Sequence, residues 1–211
     1  MDIPPPSPLR REEKGEGNLT ANVKDKFSDL NMQESHDKLY SEKPIEAKGM
    51  EKYIHLAKEL KMADAMIISP KDIFFDIRAI LKCRWGCEDF SDGNIRCQNR
   101  GTTYQERVEM VKKYNHILLV HSHDAKELSA AVLEIERRAF LDGHYFAFAL
   151  RTCNLCNACA VKQGAPCPTP DKVRPCEASF GIDVYKTVRN LGLPCDVLQN
   201  KDDLQNRYGF V

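Results

Sequence analysis

Apolar residues recur at helical spacing in four stretches of this 211-residue chain. The first stretch follows Met50 and is expected to end near Met62, and a Thr103–Glu106 capping box predicts the start of the second. Asp124 is expected to cap the third helix. The residues that carry the period are Tyr53, Leu56 and Leu60, then Val108, Val111 and Tyr114, then Leu128, Val132, Ile135 and Ala139, and last the stretch Ile182–Asn190.

Short apolar runs between these stretches predict strands. The runs are Ala65–Ser69, His116–Ser122, Tyr145–Leu150 and Tyr208–Val211, while Asp72–Leu81 is predicted to be extended or partly helical and residues 83–101 to form a loop. Strands and helices therefore alternate. This order predicts an α/β or α+β fold, with helices packed on a small central sheet and two cysteine-rich metal-binding loops. Parallel and mixed sheets both fit the pattern.

No hydrophobic period persists through residues 1–48, where prolines cluster at Pro4, Pro5, Pro6 and Pro8. Proline clusters followed by mixed charge and isolated apolar residues are typical of a disordered tail, with a partner-binding leader as the alternative. We therefore expect a tail over residues 1–48 and a single cysteine-rich metal-binding domain over residues 49–211.

Composition narrows the class of protein. Thirty-one basic residues balance thirty-one acidic ones, so the bulk charge favours neither nucleic acid nor an anionic membrane as a partner. The sequence shows neither a secretion signal nor an apolar run of the roughly 18 residues that suggest a membrane span. We expect a soluble cytoplasmic protein. Nine cysteines in such a reducing compartment indicate metal binding or catalysis more than disulfides.

The strongest motif lies between Arg151 and Pro168. It holds Cys153, Cys156 and Cys159 with two residues between neighbours, and then Cys167 directly before a proline; we call these four the second cysteine group. One short loop can aim three such thiolates at three corners of a [4Fe–4S] cubane, and a distant Cys-Pro can close the fourth. Zinc is the alternative, although a third cysteine at the same interval is surplus in a simple tetrahedral site.

Another cysteine set precedes it in the chain. Cys83, Cys87 and Cys97, the first cysteine group, have three and nine intervening residues. Phe90 stands where the radical S-adenosylmethionine pattern would need its third cysteine. Three thiolates on one loop can hold a second cluster or a zinc ion, and they can also be unligated core cysteines.

Cys176 and Cys195 remain after these seven. If Cys176 completes the first group, both clusters are bound by thiolates throughout, and the natural function is electron transfer with a redox protein partner. If it does not, one iron is open to a substrate and the protein is an enzyme, by analogy with open zinc sites. A structural zinc-binding interaction module is a third hypothesis. One or two clusters per chain fit this ligand count.

Residues beside the cysteines admit two interpretations each. Arg84, Arg96, Arg151 and Arg174 either offset the negative charge of bound clusters or are simply solvated. Trp85 either shields a cluster or serves ordinary packing, and His121 and His123 either supply a ligand or proton relay or are surface or capping histidines.

The chain resembles the prokaryotic family of predicted metal-binding proteins called domain of unknown function 2284. The resemblance covers about residues 50–211, and its motifs are Asp72–Arg78, the first group with the Thr-x-x-Glu helix start, the second group, and Arg174-Pro followed by Gly181–Val184. It implies metal binding, of the iron–sulfur kind, without an established reaction. Cys176 stands where members tend to carry serine, which implies that this cysteine is a local addition.

Overall fold

The computed structural model describes residues 49–211 except Asp92, Gln98 and Lys201. In this part of the chain five α-helices and a three-stranded antiparallel sheet form an α+β fold, which settles the fold class left open above. The elements are α1 Glu51–Glu59, β1 Asp64–Ile68, α2 Arg78–Gly86, α3 Tyr104–Lys112, β2 Ile117–Ser122, α4 Ala125–Leu141, α5 Val184–Asn190 and β3 Arg207–Phe210. The predicted tail, residues 1–48, lies outside the described residues.

The sheet has the order β1-β2-β3, and both pairings are antiparallel. All six residues of the central strand β2 are buried, because helices cover both faces of the sheet. Side chains alternate between the faces along a strand. Leu118 and Val120 accordingly belong to one core cluster, whereas Ile117 and Leu119 belong to the other.

Each core cluster joins the sheet to its own helices. The first contains Tyr53 and Ala57 of α1 and Leu128, Val132 and Ile135 of α4. The second contains Val111 of α3 and Val188 of α5, together with Tyr208 and Phe210 of β3. The predicted buried faces of α3 and α4 are confirmed by this packing.

The predicted helix caps are also confirmed. Thr103 Oγ1 accepts the Glu106 N–H at 3.2 Å, and Glu106 Oε2 accepts the Thr103 N–H at 2.7 Å. Asp124 Oδ1 accepts the N–H groups of Lys126 and Glu127 at 2.8 and 2.7 Å. These bonds satisfy amides that have no partner within the helix.

The prediction of a strand at Tyr145–Leu150 is wrong. In the described chain only Leu150 pairs in this segment, through a single bridge to Phe210. The Ala149 N–H donates instead to the Glu136 carboxylate at 2.7 Å, so it is not available to a strand ladder. Tyr145 and Phe146 are exposed, and their aromatic character therefore does not mark a buried strand.

The loop predicted from Cys83 to Gly101 begins later than expected. Helix α2 runs through Cys83 and ends at Gly86, so Cys83 is presented by a helix and Cys87 by the extended residue that follows it. The Asp76 carboxylate, two residues before the helix begins, accepts the N–H of its first residue, Arg78, at 2.8 Å. No helix in the described residues is both long and apolar enough to cross a membrane.

Candidate metal centre

Two chain segments pair so that helix α2 meets a short turn at Glu177–Phe180. The Asp76 N–H donates to the Gly181 carbonyl oxygen, and the Asp183 N–H donates to the Phe74 carbonyl oxygen, both at 2.8 Å. Gly181 has a φ of +78°, and a Cβ there would lie 2.3 Å from the Tyr104 ring. Only glycine fits both requirements. The pairing brings Cys83 of α2 to Cys176, which directly precedes the turn.

The thiols of Cys83 and Cys176 are near enough for each to shift the pKa of the other. The Cys176 thiol lowers the pKa of Cys83, and Cys87 and Cys97 are near enough to act on that pKa in the opposite direction. The Cys83 thiol, and after it burial, raises the pKa of Cys176. Cys176 is therefore the thiol of this pair that holds its proton more strongly. The first group and Cys176 form one neighbourhood of four thiols.

The second group lies on a loop that leaves the sheet at Leu150 and is fastened to α4. The Ser129 hydroxyl donates to the Thr152 carbonyl oxygen at 3.0 Å and accepts the Asn154 N–H at 3.2 Å, which fixes the backbone on both sides of Cys153. Lys126 Nζ donates to Asn157 Oδ1 at 2.7 Å. Cys156 is exposed, whereas the other three cysteines of this group are half-buried.

Glu136 of α4 holds the two ends of this loop. Its Oε2 accepts the Ala149 N–H at 2.7 Å and the Arg174 Nε–H at 2.8 Å. The Arg174 guanidinium also lies 5.2 Å from the centre of the Phe148 ring. The Glu136 carboxylate therefore binds the chain both before and after the second group.

Two contacts join the loops of the two cysteine groups. Arg96 Nη1 donates to the Cys153 carbonyl oxygen at 3.0 Å, and Lys162 forms an ion pair with Asp89. The two groups therefore lie on neighbouring loops of one region.

Two buried side chains that can carry charge lie beside Cys176. Arg151 Nη1 is 3.5 Å from Glu177 Oε1, and both residues are at least nine-tenths buried. Burial, and after it the nearby Cys176, raises the pKa of Glu177 to about 8, although Arg151 acts in the opposite direction. The sequence marked Arg151 only as a neighbour of a cysteine, and nothing in it marked Glu177, because burial of a charged residue depends on tertiary packing.

The arginines beside the cysteines are mostly paired and not solvated. Arg96 and Arg151 are buried, and Arg174 is paired with Glu136 at 2.5 Å. Arg84 lies over the Phe90 ring, with its guanidinium carbon 5.7 Å from the ring centre. For these side chains the interpretation as free surface charge is wrong.

Trp85, the two histidines and Cys195 are the remaining candidate residues. Trp85 is 79% exposed, so packing does not account for it. His121 is buried in the sheet, where its Nε2 hydrogen-bonds Asn206 Oδ1 at 2.9 Å and its ring stacks on Tyr208. His123 is exposed. Cys195, the ninth cysteine, is a buried core residue with a pKa raised by burial.

All nine cysteines are free thiols. Across residues 49–211, leaving aside the three undescribed positions, no three side chains of histidine, cysteine, aspartate or glutamate lie close enough together to hold one metal ion. The chemistry of the donors nevertheless fits a thiophilic metal, because thiolates select zinc and iron–sulfur clusters. Metal binding would require the thiols of each group to draw together.

The fold and these loops define a small α+β protein with two neighbouring cysteine-bearing loops. Residues 66–211 match the family model described as "Predicted metal-binding protein (DUF2284)". This match covers more than half of the chain, and the protein belongs to that family, as the motifs predicted. No curated protein and no solved structure matches the chain.

Proposed function

We propose that this protein holds iron–sulfur clusters of the [4Fe–4S] type at its two cysteine groups and passes electrons to or from a redox protein partner in the cytoplasm. The observation that carries the proposal is the packing of helix α2, which presents Cys83, against the turn that directly follows Cys176. It supplies the first group with a fourth thiol. Two sets of four thiols suit clusters that are bound by thiolates throughout, and such closed sites serve redox chemistry without binding a substrate.

The ligands under this proposal are Cys83, Cys87, Cys97 and Cys176 for one cluster and Cys153, Cys156, Cys159 and Cys167 for the other. When bound, each cluster would supply one-electron oxidation and reduction, at a potential that depends on nearby charge and solvent exposure. The protein's own contribution is positive charge close to the thiolates, from Arg96, Arg151 and Lys162. Such charge favours a reduced, more negative centre.

An enzyme with an open-site cluster is the second candidate. The nearby Cys83 thiol and burial both raise the pKa of Cys176, which opposes the ionised form that a metal ligand must adopt. A cluster held by the first group alone would have one iron free for a small molecule. The two candidates differ in whether Cys176 is a ligand.

Replacing Cys176 with serine separates them. Under the electron-transfer proposal, Cys176→Ser is expected to lower the iron content from about eight to about four atoms per chain, or to change the spectrum of one cluster, because a thiolate ligand is lost. The measurement is iron and sulfide content with electron paramagnetic resonance on anaerobically purified protein.

Cys195→Ala is the matched control, since Cys195 lies in the core and in neither group. It is expected to leave both the metal content and the spectrum unchanged. An unchanged spectrum for Cys176→Ser, with a new signal when cyanide is added, would favour the open site.

A further inference from the structure

Arg96 is a buried charged residue that contacts the loops of both cysteine groups, with 5% of its surface exposed. Its Nη1 donates to the Cys153 carbonyl oxygen at 3.0 Å, and its Nη2 lies 2.9 Å from Asp89 Oδ2. The second contact is an ion pair without hydrogen-bond geometry, since Nη2 has no hydrogen-bond partner. A planar guanidinium can hold two such partners in a fixed relation, which a lysine cannot.

Asp89 connects Arg96 to both loops. It lies between Cys87 and Cys97, and its carbonyl oxygen accepts from the Cys97 thiol at 3.8 Å and from Asn94 Nδ2 at 3.4 Å. Its carboxylate is paired with Arg96 and with Lys162 of the second loop. Two cations therefore share one carboxylate, and the surplus positive charge lies between two sets of thiols.

We propose that Arg96 is a positioning residue that couples the two cysteine groups: through Cys153 and Asp89 it sets the backbone of each loop so that the thiols of each group can draw together around their own metal. The inference rests on the proposed metal binding and adds a residue that is not itself a ligand. Arg96 holds the backbone carbonyl group of Cys153, and the side chain of Cys153 is the first thiol of the second group. Loss of Arg96 would release the Cys153 backbone, so that its thiol would no longer be held in one orientation. It would also remove a positive charge that offsets the negative charge of the thiolates.

The test uses Co²⁺ as the probe, because its thiolate complexes absorb visibly. The full chain carries Cys83→Ser and Cys87→Ser, so that the second group is observed. In this background Arg96→Gln is expected to weaken Co²⁺ binding about 10–100-fold, the usual effect of losing a partner that orients a ligand. Arg100→Gln, an exposed arginine of the same loop, is the matched control and is expected to change the affinity by less than about twofold.

Circular dichroism would show whether Arg96→Gln folds. If it does not, a second variant tests the same inference. Asp89→Asn keeps the side-chain shape, removes the charge that holds Arg96 and Lys162, and is expected to weaken Co²⁺ binding in the same direction. Arg96→Lys is expected to restore less than half of the loss on a logarithmic scale, because its single ammonium group cannot reach both partners. A purely electrostatic role would predict full rescue.

The outcomes separate this inference from the function on which it rests. Equal Co²⁺ affinity in the parent, Arg96→Gln and Asp89→Asn chains would overturn the coupling and leave the metal-binding proposal standing. Absence of Co²⁺–thiolate absorption from the nine-cysteine chain itself would overturn both.

Discussion

Replacing Leu128 with alanine is expected to lower the free energy of unfolding by about 2–5 kcal/mol. Leu128 is fully buried in the cluster that joins α4 to β2 and α1. Truncation removes apolar surface from the interior and leaves a cavity that neighbours fixed to a buried strand fill only in part. Urea denaturation of the metal-free protein, followed by circular dichroism, measures the change.

Leu141→Ala is the matched control for this prediction. It makes the same substitution in the same helix, but Leu141 is 61% exposed. Its effect is expected to stay within about 0.5 kcal/mol. Similar losses for the two variants would show that α4 does not bury the face described here.

Raising the pH is expected to destabilise the metal-free protein through Glu177. Burial raises the pKa of this carboxyl from 4.5 to about 8 in the folded protein. Between pH 4.5 and about pH 8 the Glu177 carboxyl is ionised in the unfolded chain and protonated in the folded protein. The stability that Glu177 contributes is therefore complete below pH 4.5 and is lost as the pH rises through about 8. Each pH unit in this window costs about 1.4 kcal/mol, and the total is on the order of a few kcal/mol.

Glu177→Gln removes the titrating proton and keeps a neutral side chain of the same shape. Its unfolding free energy is expected to fall much less than that of the wild type as the pH is raised across this window. The exposed Glu59→Gln serves as control and should retain the wild-type slope. Parallel pH profiles for all three proteins would contradict the assignment of the slope to Glu177.

The parts of the fold that sequence reasoning predicted are those with local or periodic causes. The capping box at Thr103 needs only residues within one turn, and the buried run Ile117–Ser122 needs only a covered strand. Helix α2 was predicted only in part. Ile77, directly before it, and Leu81 and Trp85 within it recur every four residues, which is the spacing of one helix face, but all three are exposed and this face is not packed on the core.

The candidate site also has parts that the sequence predicted and parts that it did not. The spacing of the second group is a local pattern and was visible at once. The association of Cys176 with the first group was only one of two alternatives, because it depends on how the segment before α2 pairs with residues after the second loop. Arg96 and Glu177 are buried charges whose partners lie on other segments, and no spacing rule marks them.

The central claim is tested most directly by the metal and sulfide content of the full chain purified without oxygen. The proposal predicts iron with acid-labile sulfide, at about eight atoms of each per chain for two [4Fe–4S] clusters. Zinc without acid-labile sulfide would contradict it.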